Sequence, residues 1–286
     1  MPIATTEGIQ LYYEDEGEAD DEPLLLVMGF TAQLTSWPDP FVAELVRRRF
    51  RVIRVDNRDC GLSSYLDGVV VNPFEVDPAK VPYLLGDMAD DLVGVLDHLG
   101  IARAHIVGAS MGGMIAQTLA LDHPERVRSL CSIMSTTGAP GVGQPTAEAI
   151  QALLTPAPAD REGVLDRSVE VSAVLGSKSH PQDPADARAR AAESFDRAYY
   201  PEGATRQLAA MLASGDRTER LAQLRLPTLV IHGLQDPLIQ PDGGRATAAA
   251  IPGARLLELA DMAHDLPPPL WPLLTQAIAD HARNVG

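Results

Sequence analysis

The sequence predicts an α/β fold with a mostly parallel central sheet flanked by helices, and three observations carry that prediction. Short unbroken apolar runs such as "PLLLVMG" and "AHIVG" recur, as strands buried on both faces do. Segments with helical apolar spacing separate them. Between residues 136 and 225 the alternation stops, and it resumes afterwards, so a mostly helical insertion interrupts the sheet.

Taken in order, "IQLYYED" alternates apolar and polar residues like a half-buried strand, "PLLLVMG" is an apolar run, and "PFVAELVRRRF" has helical spacing. "RVIRVD" reads as the next strand. "DMADDLVGVLDHLG" places Met88, Leu92, Val95, Leu96 and Leu99 on one helical stripe, with Gly100 as its stop. "AHIVG", a helix after Ser110 and "VRSLCSIMS" complete the first part, residues 1–135. The insertion opens at "TTGAPGVGQPT" and reads as helical pieces near Ala147 to Leu154, Arg161 to Leu175, Pro184 to Tyr199 and Gly203 to Ala213. It is a candidate lid, or else a set of ordinary surface helices. In residues 226–286 the strand "PTLVIHG", the helix "GGRATAAAI", the strand "ARLLELA" and the helix "PLWPLLTQAIADHARN" resume the pattern.

At 286 residues the chain is long enough for one α/β domain with an insertion. Apolar residues make up 45%, yet no unbroken apolar stretch approaches the roughly 20 residues that span a bilayer, so no membrane partner is expected. The acidic start "MPIATTEGIQLYYEDEGEADDE" does not read as an export signal. Cys60 and Cys131 are the two cysteines, too few for a disulfide framework or a thiolate metal cluster, and a cytoplasmic location is expected. A formal net charge of -16 opposes binding to nucleic acid or anionic membrane surfaces and otherwise serves solubility.

Gly108-Ala109-Ser110-Met111-Gly112 matches G-x-S-x-G. The motif alone is common; its meaning comes from following a strand-like run and opening a helix, the arrangement that raises a serine on a strained turn. A serine hydroxyl needs a base to take its proton and an acid to orient that base, and this architecture orders them Ser, acid, His along the chain. His98, His105, His123 and His180 stand too early, and His232 ends a strand. His281 falls in the closing helix, in what reads as a solvated neighbourhood. His264, in the loop after "ARLLEL", is therefore the candidate base. Asp236, in the loop after "TLVIHG", is the candidate acid in preference to Asp261 and Asp265, which would have to fold back on the histidine. The developing oxyanion needs donors, for which the backbone N–H groups of Met111 and Phe30 are the candidates.

These residues resemble the serine-hydrolase branch of the α/β-hydrolase family, through "LLLVMGF", "VIRVDNRDCGLSS", "HIVGASMGGMIAQTLALDHPERV", "LPTLVIHGLQDPLIQP" and "DMAHDLP", which fall in the family's order outside the insertion. Two departures stand out. Met28 precedes Gly29 where many members have histidine, and Asp59 follows Arg58 where many have glycine. With "SWPDPF" these variants look like the subgroup of aclacinomycin methylesterase and bacterial carboxylesterases. The resemblance implies the α/β-hydrolase fold with a helical cap at residues 136–225, and hydrolysis of a small-molecule ester through an acyl-enzyme on Ser110. No metal or organic cofactor is implied.

The sharper expectation is a methyl ester of a polyketide-type acid. Trp37 either flanks the pocket or packs in the core, and Tyr199 and Met211 either line an apolar substrate site or pack internally. Perhydrolysis, or thioester, lactone or carbon–carbon bond hydrolysis, fits the same elbow, and a ligand receptor derived from a hydrolase is the alternative outside enzymes.

Overall fold

A computed structural model describes residues 2–6, 8–155, 158 and 160–284. Eight strands form one sheet: β1 (Ile3–Thr6), β2 (Ile9–Glu16), β3 (Glu22–Val27), β4 (Phe50–Val55), β5 (Ala104–Ala109), β6 (Val127–Ile133), β7 (Thr228–Gly233) and β8 (Arg255–Leu259). Their order is β1-β2-β4-β3-β5-β6-β7-β8. The β1–β2 and β2–β4 pairs are antiparallel, and every pair from β4 through β3 to β8 is parallel. The reason the central strands read as continuous apolar runs is now plain: all six residues of β5 and of β7 are buried, with helices over both faces.

The helices divide between those faces. On one side α2 (Leu85–His98) and α3 (Met111–Asp122) pack Leu92, Val95, Ile115 and Leu119 against Leu25, Val27 and Ile106 of the sheet. On the other, α1 (Asp39–Arg47) and the C-terminal α10 (Trp271–Arg283) pack Phe41, Leu45, Leu274 and Ile278 against Leu24, Leu26 and Val107. Alternate residues of β3 thus supply opposite cores, as the period of a strand requires. Among the described residues between β6 and β7 lie four helices and a short fifth: α4 (Ala147–Leu154), α5 (Arg161–Leu175), α6 (Pro184–Arg197), α7 (Glu202–Ser214) and α8 (Thr218–Leu221). Last in chain order before β8 comes α9 (Pro241–Ala250). Among the described residues no helix is long and apolar enough to cross a membrane.

Several local expectations are corrected. α6 ends at Arg197 rather than reaching Tyr199, because the backbone straightens at Ala198. α2 begins three residues earlier than its apolar stripe suggested, where the Asp87 carboxylate accepts the Leu84 N–H at 2.7 Å and caps the first turn. His281 is not solvated: it is 5% exposed, and its Nε2 donates to the carbonyl of Leu130 at 3.0 Å.

Candidate active site

Ser110 joins the end of β5 to the start of α3 with φ 56° and ψ -122°, a left-handed conformation that an L side chain adopts at a cost of roughly 1–3 kcal/mol. The surrounding bonds hold it there: its N–H donates to Ile133 O at 2.9 Å, and its carbonyl accepts from Gly113 N and from Ser135 Oγ, each at 2.9 Å. The flanking glycines follow from the sharpness of the turn. A Cβ on Gly108 would lie 2.1 Å from Gly112 O, and one on Gly112 would lie 2.1 Å from Val27 O. No side chain fits at either position.

β7 delivers Asp236 and the loop after β8 delivers His264, both at the carboxyl edge of the sheet where β5 delivers Ser110. His264 Nε2 is 3.0 Å from Ser110 Oγ, and His264 Nδ1 is 2.8 Å from Asp236 Oδ2. A carboxylate only accepts, so the Nδ1–H donates to Asp236 and Nε2 is left as the acceptor facing the Ser110 hydroxyl. Asp236 is 3% exposed, and its second oxygen accepts the N–H groups of Leu238 and Ile239, each at 2.9 Å. The carboxyl is thereby fixed at both oxygens. His232 keeps that turn in place: its Nε2 donates to Ile239 O at 2.8 Å, and burial lowers its pKa, favouring the neutral ring beside Asp236.

Gly29 lies directly over the serine, since a Cβ there would sit 2.9 Å from Ser110 Cβ. Phe30 follows Gly29 directly, and Met111 follows Ser110 at the start of α3. Among the described residues neither N–H donates to an acceptor of the chain. The turn that carries Phe30 is braced without the histidine of the family pattern: Asn57 Nδ2 donates to Met28 O at 2.9 Å, and Gln207 Oε1 accepts the Thr31 N–H at 2.8 Å.

The inserted helical segment also grips His264. His264 N–H donates to Leu175 O at 3.0 Å, and Ser177 Oγ accepts the Ala263 N–H at 2.8 Å while donating to Asp265. Asp265 therefore serves this clamp. Asp261 is taken by His180, 2.9 Å away, and that hydrogen bond holds its carboxyl below the usual range. Neither competes with Asp236 for His264.

Of the three substrate-side candidates, Trp37 is fully buried in the core with Phe41, ring centres 5.6 Å apart, so the structure supports packing over a place in the pocket. Tyr199 is 40% exposed and stacks on Phe195, with 4.5 Å between ring centres. Met211 packs, partly buried, against the core under α2 and α3. Gln207, Ser177 and Asn57 were not singled out from the sequence. Gln207 alone carried a signal, because Gly203, Arg206, Gln207 and Ala210 share the buried stripe of α7, and a polar pair on such a stripe demands partners.

Comparison with known proteins agrees with the fold. A family model described as alpha/beta hydrolase fold matches residues 22–267. Rhodomycin D methylesterase DnrP of Streptomyces peucetius is 32% identical, over 98% of this chain and 97% of that protein. The enol-lactonase of Burkholderia xenovorans LB400 superposes with a TM-score of 0.76 at 27% identity, covering 99% of this chain and 100% of that one. A thermophilic esterase of Thermogutta terrifontis gives a TM-score of 0.73 at 26% identity, covering 99% and 98%.

Proposed function

The chain belongs to the α/β-hydrolase family, and from that premise we propose that it hydrolyses carboxylic esters through Ser110, His264 and Asp236. One observation carries the reading: the relay from Ser110 Oγ through the imidazole to Asp236 has its two contacts at 3.0 and 2.8 Å on a strained strand-to-helix turn. Ser110 Oγ attacks the carbonyl carbon as its proton passes to His264 Nε2, and the Phe30 and Met111 N–H groups receive the carbonyl oxygen as it gains charge. The imidazolium then gives that proton to the departing alkoxide, leaving an acyl-enzyme. Water, losing a proton to the same nitrogen, attacks the acyl carbon and restores Ser110 with release of the acid.

The substrate we propose is a methyl ester of a bulky apolar acid, held between the core and a cap formed by residues 136–225. Support comes from the methylesterase relative, which matches across this segment as well as the core. The two free, buried cysteines fit a reducing, cytoplasmic setting. The test is methanol release from a methyl ester of a polycyclic aromatic acid, compared with p-nitrophenyl esters of increasing chain length. Turnover of both classes, lost in Ser110→Ala, is expected. Turnover of short p-nitrophenyl esters alone would remove the bulky-acid assignment, and turnover of neither would remove the esterase.

A further inference from the structure

We propose that Gln207 is a positioning residue for the oxyanion hole, by which the inserted helical segment holds the Gly29–Thr31 turn in the shape that presents the Phe30 N–H to the substrate. The inference rests on the Ser110 reading above. It also accounts for one departure from the family pattern, Asp59.

Gln207 has no exposed surface, and its amide is used at both ends. Oε1 accepts the Thr31 N–H at 2.8 Å, and Nε2 donates to Arg58 O at 2.9 Å. Thr31 sits at φ 57°, a conformation disfavoured for a β-branched residue, so something must hold it. Its N–H is fixed by Gln207, and its carbonyl accepts from Cys60 Sγ at 3.3 Å. With Asn57 on Met28 O, the chain on either side of Gly29 and Phe30 is tied to a buried side chain. The Phe30 N–H lies between those ties. If the Thr31 tie is lost, φ relaxes and the neighbouring N–H swings away from the substrate's oxygen.

Asp59 explains why a helix of the insertion can do this reliably. It stands at φ 63°, the conformation that suits the glycine of related sequences. Here the carboxylate is instead fully occupied as an anchor. Arg206 donates to both of its oxygens, each at 2.8 Å, and Tyr83 adds a third bond at 2.8 Å. A Cβ on Gly203 would lie 2.1 Å from Asp59 O, so the backbone of α7 rests on this loop. Arg206 locates the helix, and Gln207, the next residue, aligns the turn.

Because the Phe30 N–H acts on charge that develops during reaction, the brace affects rate more than ground-state binding. Gln207→Met keeps the volume and removes both hydrogen bonds, whereas Gln207→Glu in its protonated form keeps both. The readouts are kcat and KM for a p-nitrophenyl ester, inhibition by an aryl trifluoromethyl ketone that adds to Ser110 and places charge on its oxygen, and hydrogen exchange in the peptide spanning residues 28–33. For Gln207→Met the expected result is kcat lowered about ten-fold with KM unchanged within about two-fold, ketone affinity lowered by the same factor, and faster exchange. Gln207→Glu should approach wild type as pH falls.

Wild-type kcat and ketone affinity in folded Gln207→Met would overturn the inference, and so would a kcat loss without a matching ketone loss. If the Met variant does not fold, Gln207→Glu carries the test, and a pH-independent ratio to wild type overturns it. A wild-type protein that neither turns over esters nor reacts at Ser110 would defeat the Ser110 reading instead. The exchange measurement would then still decide the brace, since unchanged protection in Gln207→Met overturns it.

Discussion

Ser110, Asp236 and His264 lie 28 and 154 residues apart in the pairs that touch, yet each stands where a parallel strand ends, so their meeting is a property of the sheet. That is why they were legible: chain order and loop position suffice when the scaffold is regular. Ser110→Ala should lose roughly four to six orders of magnitude in kcat, read with an active-site-titrated enzyme. Asp236→Asn keeps the shape but favours the wrong imidazole tautomer, and a kcat loss of about 10⁴ is expected from steady-state kinetics. Trp37, Tyr199 and Met211 were less legible, since an aromatic or methionine side chain gives the same sequence signal in a core as in a pocket. His281 misled for a related reason. A terminal helix looks solvated in sequence, while its inner face packs on Leu130 of the sheet.

Among the elements, α4, α5 and α6 of the insertion are legible because the capping residues Thr146, Asp160 and Asp183 mark their starts. β1 leaves no strand signal in the sequence. Its four residues hold too few alternations to register, and it owes its form to pairing with β2. The ties between α7 and the core were invisible in the same way, since Arg206 and Asp59 are 147 positions apart. Both side chains are buried, at 2% and 2% exposure, so Arg206→Met leaves Asp59 without its charge partner. The expected loss is about 3–5 kcal/mol of unfolding free energy in urea. A loss below about 1 kcal/mol would mean that the Arg206–Asp59 pair contributes little to holding α7.

Over the whole molecule, burial keeps three histidines neutral: His105, His232 and His281 all have lowered pKa values. For His105 the value falls from 6.5 to about 4, chiefly through desolvation. The unfolded chain therefore binds a proton that the folded chain refuses, and stability present above pH 6.5 is lost as pH falls toward 4. By roughly 1.4 kcal/mol per pH unit, His105 accounts for about 3 kcal/mol of that loss. Denaturation of His105→Asn across this range should show a correspondingly shallower decline than wild type, and parallel declines would assign the acid sensitivity elsewhere. The same layered sheet sets three loops together at its carboxyl edge, and the central claim is that this makes Ser110 an activated nucleophile. Intact-mass analysis after exposure to a fluorophosphonate near neutral pH tests it most directly. One adduct per chain, absent in Ser110→Ala and formed orders of magnitude more slowly in His264→Ala, is predicted; an unlabelled wild type, or an adduct that persists in Ser110→Ala, would contradict it.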